Sequence, residues 1–314
     1  GRMHHAWLLT GPEGVGKATL AFRFARRLLA GVPGEPSLFL DPAQPVFRRV
    51  AAGSHADLRT VERAWDDKKK RWRSEIVVDA VRAASEFLRL TPAEGGWRVV
   101  VVDGAENLNR NAANALLKVL EEPPSRAVLL LTCAAPGRLL PTVRSRCRRL
   151  GLAPLAPAAM ADALAAFRPD LPLSERDALA AIAEGSPGRA LLLAEEEGLR
   201  LAQLVDDVLT GLPAAARPKN PYEIADALGR SDTAFGTFME LLRASVATAV
   251  REAARGRSDA ARNRLLAGRS LDAWGEVWQG LSRLQDETER FNLDKRQAVL
   301  SSLALLSGSL QSPL

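Results

Sequence analysis

Seven residues near one end of the chain, Gly11-Pro12-Glu13-Gly14-Val15-Gly16-Lys17, carry the spacing GxxxxGK. Glycines so placed let backbone N–H groups turn inward around phosphate oxygens, and Lys17 adds a positive charge at the start of the following helix. The chemistry implied is the binding of a nucleotide's phosphates. The motif should continue with a hydroxyl that binds Mg²⁺, but the next residue is Ala18. Thr19 is no simple substitute, because one helical step turns a side chain by about 100°. Asp103, after the apolar run at 99–102, is placed to hold a metal. ATPases of this kind carry a water-activating Glu next, and here that position is Gly104. Glu106, three positions past Asp103, is expected to project elsewhere. Metal placement and water activation are separate requirements, so the loss of both argues against hydrolysis.

These groups need a scaffold, and hydrophobic periodicity supplies one. Residues 5–11 form a short apolar run ending in glycine, as a buried strand does. From Lys17 to Leu29 apolar residues recur at helical spacing, with Arg23, Arg26 and Arg27 on the other face. Residues 31–75 read as irregular. A helix is predicted over about 78–90, a strand buried on both faces over 99–102, a helix over 112–121 cut by Pro123-Pro124, and an apolar strand over 127–132. Strands alternating with helices predict an α/β domain with a parallel sheet. After about Gly151 nothing reads as a strand. The expected plan is an α/β phosphate-loop domain with a parallel sheet over 1–150, followed by two all-α domains, a small one over 151–210 and a larger one over 211–314. The segment 211–221, with three prolines, is the expected linker.

Composition narrows the function. Hydrophobic residues make up 47% and charged residues 25%, which is globular. No apolar stretch approaches the roughly 18 residues that cross a bilayer, and the first residues carry no secretory pattern, so a cytoplasmic protein is expected. Two cysteines, Cys133 and Cys147, and three histidines leave no disulfide framework and no Cys/His zinc site. The net charge of +6 permits contact with nucleic acid without requiring it.

With these pieces in place, the chain resembles the clamp-loader branch of the AAA+ ATPases and, within it, the delta-prime family of bacterial DNA polymerase III. The resemblance rests on Gly11 to Lys17, on Ile76-Val77-Val78-Asp79-Ala80-Val81-Arg82, on Asn114-Ala115-Leu116-Leu117-Lys118-Val119-Leu120-Glu121-Glu122-Pro123-Pro124, and on Thr142-Val143-Arg144-Ser145-Arg146-Cys147. Gly185-Ser186-Pro187-Gly188 extends it into the second domain. Beyond about 205 only helical character and length are shared.

The resemblance implies a ring of five related subunits that opens a sliding clamp and places it on primer-template DNA, with 151–210 as a small helical lid and 211–314 as the collar for oligomerisation. Its partners are gamma/tau ATPase subunits, a delta subunit, the clamp and DNA. In that family the Ser-Arg-Cys arginine completes a neighbour's ATP site, so Arg146 is carried over as an arginine finger acting in trans; the plainer account is a surface ion pair. Thr132 falls at the first sensor position. Gly11, Gly14, Gly16, Lys17, Ala18, Thr19, Asp103 and Thr132 then outline a degenerate nucleotide site. That site requires no cofactor or metal, and leaves room for weak ATP or ADP binding without Mg²⁺-dependent hydrolysis. Motor subunits carry an Arg where this chain has Gly188, with Arg189 one step along. The family's four-cysteine zinc module is missing from 38–55, so no zinc is expected. Ten residues precede the loop where the family has a few tens, which points to a trimmed sequence. The chain itself is expected to have neither ATPase nor polymerase activity, although its assembly is a DNA-directed DNA polymerase. The alternative is an active AAA+ ATPase of gamma/tau motor type, or another ATP-dependent remodeller.

Two smaller features stand apart. Lys68 to Arg73, with Trp65 and Trp72 interleaved, has the composition to touch DNA, but Asp66 and Asp67 dilute the charge and a solvated loop is preferred. Trp274 and Trp278, four apart on a predicted helix, read as core or subunit interface.

Overall fold

The computed structural model describes residues 3–31, 37–68, 71–211, 220–257, 263 and 265–308. Its chain divides into two compact units, one of Gly1–Ala163 with Glu184–Arg189, the other of Leu164–Ala183 with Ala190–Leu314. The 211–221 segment expected as a linker lies largely outside the described residues.

The first unit is a parallel five-stranded sheet with helices on both faces. Its strands are β1 (Ala6–Thr10), β2 (Leu58–Val61), β5 (Arg98–Val102), β6 (Ala127–Cys133) and β7 (Arg148–Gly151), in the spatial order β2-β5-β6-β1-β7. Register pairs Leu8 with Leu131, Val100 with Leu129, and Val61 with Val102. Every residue of β5 and β6 is buried, the run of Val and Leu that a doubly covered parallel strand needs. Because strand side chains alternate, the two faces build separate cores. Leu8, Val100, Val102, Leu129 and Leu131 belong to the core that includes Val81 and Leu88 of α3 (Val78–Arg89) and Leu116 and Val119 of α4 (Arg110–Glu121). Leu9, Val99, Val101, Val128 and Leu130 pack with Ala21 and Ala25 of α1 (Lys17–Leu29). The Asn109 side chain caps α4 by accepting the Ala112 N–H, and Pro123-Pro124 follows its end.

The expected α/β architecture, a parallel sheet with the phosphate-loop sequence between its first strand and first helix, is what the chain adopts. The stretch expected to be irregular is not. It holds α2 (Pro45–Ala51), edge strand β2, and a hairpin of β3 (Trp65–Asp66) and β4 (Arg71–Trp72). Pro45 reads as a breaker, yet at the first helical position its missing N–H costs nothing. On β2 only Val61 is fully buried, so an edge strand leaves little periodicity to read. Strand β7 is exposed along all four residues and hides in an arginine-rich stretch.

Among the described residues no strand follows β7. Helices α6 (Pro157–Phe167), α7 (Leu173–Ile182), α8 (Pro187–Glu195) and α9 (Gly198–Gly211) are followed by α10 (Pro221–Leu228), α11 (Asp232–Ala254), α12 (Leu271–Phe291) and α13 (Lys295–Ser307). Within the second unit α11 packs on α9 and α12, and α13 on α10 and α12. Phe235, Phe238, Met239 and Leu242 of α11, Val205 of α9, Leu281 of α12 and Val299 of α13 are buried there. Ser231, Ser270 and Asp294 cap their helices through side-chain acceptors. Trp274 is 2% exposed, as a core residue is, whereas Trp278 is 38% exposed, beneath the Arg243 guanidinium. No described helix is long and apolar enough to cross a membrane.

Candidate functional site

A cavity of about 430 Å³ opens at the carboxyl ends of β1, β5 and β6, where ligands settle in open α/β sheets. Its walls include Gly14, Gly16, Lys17, Ala18 and Thr19 from the loop and α1, Asp103, Gly104, Glu106 and Asn107 after β5, and Thr132 and Ala134 around the end of β6. Of the residues read from sequence as the nucleotide site, all but Gly11 line it. Gly11 stands behind, lending its carbonyl to Lys17.

Lys17 is 9% exposed and folds back on its own loop. Its Nζ donates to the Gly11 carbonyl at 2.9 Å and to the Pro12 carbonyl at 2.6 Å. Asp103 and Thr132 sit side by side on neighbouring strands. The buried Thr132 hydroxyl donates to Asp103 Oδ1 at 2.5 Å and accepts the Gly104 N–H at 2.9 Å. The Thr132 hydroxyl thus directs its one proton at the carboxylate.

Gly104 is held at φ 73°, in the left-handed region, and a Cβ there would lie 2.7 Å from Asn107 Nδ2. The position directly after Asp103 is therefore shaped for glycine. It also opens a 3-10 turn, Ala105–Asn107, that swings the next carboxylate back. Glu106 lines the cavity, contrary to the expectation that it would point elsewhere. Its Oε1 accepts the Ala134 N–H at 2.9 Å. Burial pushes the Cys133 thiol up to about 11, and the neighbouring Glu106 carboxylate adds to the shift. For Mg²⁺ the wall offers the carboxylates of Asp103 and Glu106 and the Thr19 hydroxyl, but Ala18 supplies no oxygen at the position next to Lys17. The donor set does not fit the usual Mg²⁺ arrangement.

The Glu184–Arg189 segment lies directly on the phosphate loop. Ser186 Oγ donates to the Glu13 carbonyl at 2.7 Å, and the Gly188 N–H donates to the Gly14 carbonyl at 2.9 Å. A Cβ on Gly188 would lie 2.9 Å from both Cα and O of Gly14. No side chain fits between them unless the loop backbone shifts, so an Arg at position 188 is sterically excluded. Arg189 turns instead toward Glu184, at 3.7 Å.

Arg146 follows α5 (Pro141–Arg144) and is not part of its own chain's cavity wall. It is partly exposed; Nη2 pairs with Glu121 Oε1 at 2.7 Å and Nη1 donates to the Thr142 carbonyl at 2.9 Å. Burial pushes the adjacent Cys147 thiol up to about 11. Glu62, Arg63 and Trp72 also line the cavity, and sequence reasoning missed them as wall residues. The available signal was Trp65 and Trp72 flanking a polar turn, a hairpin pattern read as solvated loop.

Residues 1–156 match the family described as DNA polymerase III, delta subunit. The delta' subunit of DNA polymerase III from Pseudomonas aeruginosa is 40% identical over 212 residues, covering 65% of this chain and 60% of that protein. The Escherichia coli delta' subunit is 37% identical over 196 residues, covering 62% and 55%. The DNA polymerase III tau subunit of Salmonella typhimurium is 33% identical over 154 residues, covering 48% and 22%. The chain thus spans about 60% or less of the length of these curated relatives.

Proposed function

From a chain whose residues 1–156 match the DNA polymerase III delta-subunit family, we propose a clamp-loader subunit of delta-prime type in the cytoplasm. It does not hydrolyse ATP itself, and it donates Arg146 to the ATP site of a neighbouring gamma/tau subunit. Its other partners on this reading are a delta subunit, the sliding clamp and primer-template DNA. The observation that carries the reading is the contrast between the two places where phosphate chemistry is expected. The chain's own cavity lacks a hydroxyl at Ala18 and a Glu at Gly104, while Arg146 stands partly exposed and apart from it. A guanidinium suits a neighbour's site because its planar fork contacts several phosphate oxygens as charge develops. Weak ATP or ADP binding without Mg²⁺-dependent turnover is compatible with the loop.

The test is steady-state ATP hydrolysis by the isolated chain, then by the chain mixed with gamma/tau, delta, clamp and primed DNA, with wild type and Arg146→Ala compared throughout. A silent isolated chain and an assembly slowed at least about a hundredfold at the completed site by Arg146→Ala support the reading. An unchanged assembly rate leaves Arg146 as a surface ion pair. A second reading, an active motor, draws on Glu106, whose carboxylate lines the same cavity as Lys17 and Asp103. Turnover by the isolated chain that Glu106→Gln abolishes would select it.

A further inference from the structure

We propose that the β3–β4 hairpin is a stacking platform for single-stranded DNA, with Trp65 and Trp72 meeting the bases and Arg63, Lys68 and Arg73 the phosphates. Trp65 pairs directly across from Trp72, and their rings meet edge to face with centroids 5.4 Å apart. Such a pair normally covers a core, yet these indoles remain 44% and 54% exposed. Arg63, Lys68 and Arg73 are exposed around them. Over 63–73 the sequence carries six Lys or Arg against two Asp, a net of +4.

The acidic residues weaken this less than the sequence suggests. Asp66 Oδ1 accepts the Lys68 N–H at 3.1 Å, so one carboxylate is turned into the hairpin's own turn. What remains outside is two indole faces within a predominantly basic rim, in which Asp67 is the exposed acid of the hairpin and Glu62 and Glu75 flank it. That combination matches an unpaired strand, whose bases present π-faces and whose backbone presents regularly spaced negative charge. A duplex keeps its bases stacked inside and offers the indoles nothing. An acidic peptide would use the rim and leave both rings idle. The inference does not depend on the clamp-loader reading, since it rests on residues outside both the phosphate loop and the Arg146 turn.

The experiment measures binding of labelled oligo(dT) to the full chain by fluorescence anisotropy across a salt series. Duplex of the same length and heparin serve as competitors. Trp65→Ala/Trp72→Ala is expected to weaken oligo(dT) binding at least about tenfold, within the range that base–aromatic stacking supplies. Lys68→Glu/Arg73→Glu is expected to weaken it and to flatten its salt dependence. Both pairs lie on an exposed hairpin, and circular dichroism checks that each variant folds. The charge pair keeps the test open if the tryptophan pair misfolds. The proposal is overturned if the parent does not bind oligo(dT), if heparin or duplex competes as well as the single strand, or if the Trp variant binds like the parent. Because Arg63 and Trp72 also border the phosphate cavity, tryptophan quenching by ADP but not by oligo(dT) that Trp72→Ala abolishes would overturn it too, assigning the ring to the nucleotide site.

Discussion

Placing a Glu directly after Asp103 is the obvious rescue experiment for the proposed loss of hydrolysis, and the geometry predicts that it fails. Gly104 sits at φ 73°. A side chain in this left-handed region costs about 1–2 kcal/mol for an L-residue. A Cβ there would also lie 2.7 Å from Asn107 Nδ2. That atom ends a flexible side chain, so the contact is relieved for about 0.5–1 kcal/mol by an off-rotamer shift. Against this, replacing glycine removes about 0.4–1 kcal/mol of unfolded-chain freedom. The net loss is about 1–2 kcal/mol for Gly104→Glu, and a little less for Gly104→Ala, which shares the backbone strain. Urea unfolding followed by a probe in the first unit measures both. Parallel ATPase assays on Ala18→Thr/Gly104→Glu are expected to stay at background, because the strained residue displaces the turn that carries Glu106. Parent-like stability of both single variants, with turnover in the double variant, would refute the argument.

Gly188→Ala should destabilise the chain by about 1–3 kcal/mol, since its Cβ meets loop backbone rather than a yielding side chain. Hydrogen exchange at 13–16 would rise, and an unchanged profile would count against the clasp. His55 is 3% exposed, and burial lowers its pKa against the attraction of Glu94 and Asp57, with Arg49 adding to the lowering. The unfolded imidazole protonates first, so stability is full above about pH 6.5 and declines as pH falls through it. An NMR titration of His55 should give a midpoint below the free-imidazole value. Cys133 and Cys147, both pushed up to about 11, should react with a disulfide reagent at about pH 8 roughly a hundredfold more slowly than free cysteine. The unfolded thiols lose their protons first, so stability should decline from about pH 9 upward, a decline absent in Cys133→Ala/Cys147→Ala.

What was legible in the sequence was whatever a single face or a fixed spacing encodes. The valines at 99–102 announce a doubly covered strand, and α1 appears with both ends correct because glycine and proline bracket a strong periodicity. The phosphate loop, Asp103 and Thr132 fall around one cavity because each closes or follows a strand whose burial is obvious. The failures share a different cause. Strand β7 and most of β2 bury little, so their pairing lies in backbone hydrogen bonds that no side-chain pattern records. Glu106 was misplaced because its direction depends on the φ of the residue two before it, which the letter Gly permits but does not dictate. The clasp of Ser186 and Gly188 on the loop joins positions more than 170 residues apart, beyond the reach of local periodicity.

The Lys17 ammonium, held by the carbonyls of Gly11 and Pro12, makes the loop its own competitor. An arriving phosphate has to win the lysine from two oxygens that are covalently tethered beside it and are never diluted away. Apparent affinity then equals the intrinsic affinity scaled by the fraction of loops whose lysine has let go. Any phosphate binding by this chain would thereby be governed by an internal exchange of ligands on one nitrogen, and would favour anions of high charge density over weakly charged ones.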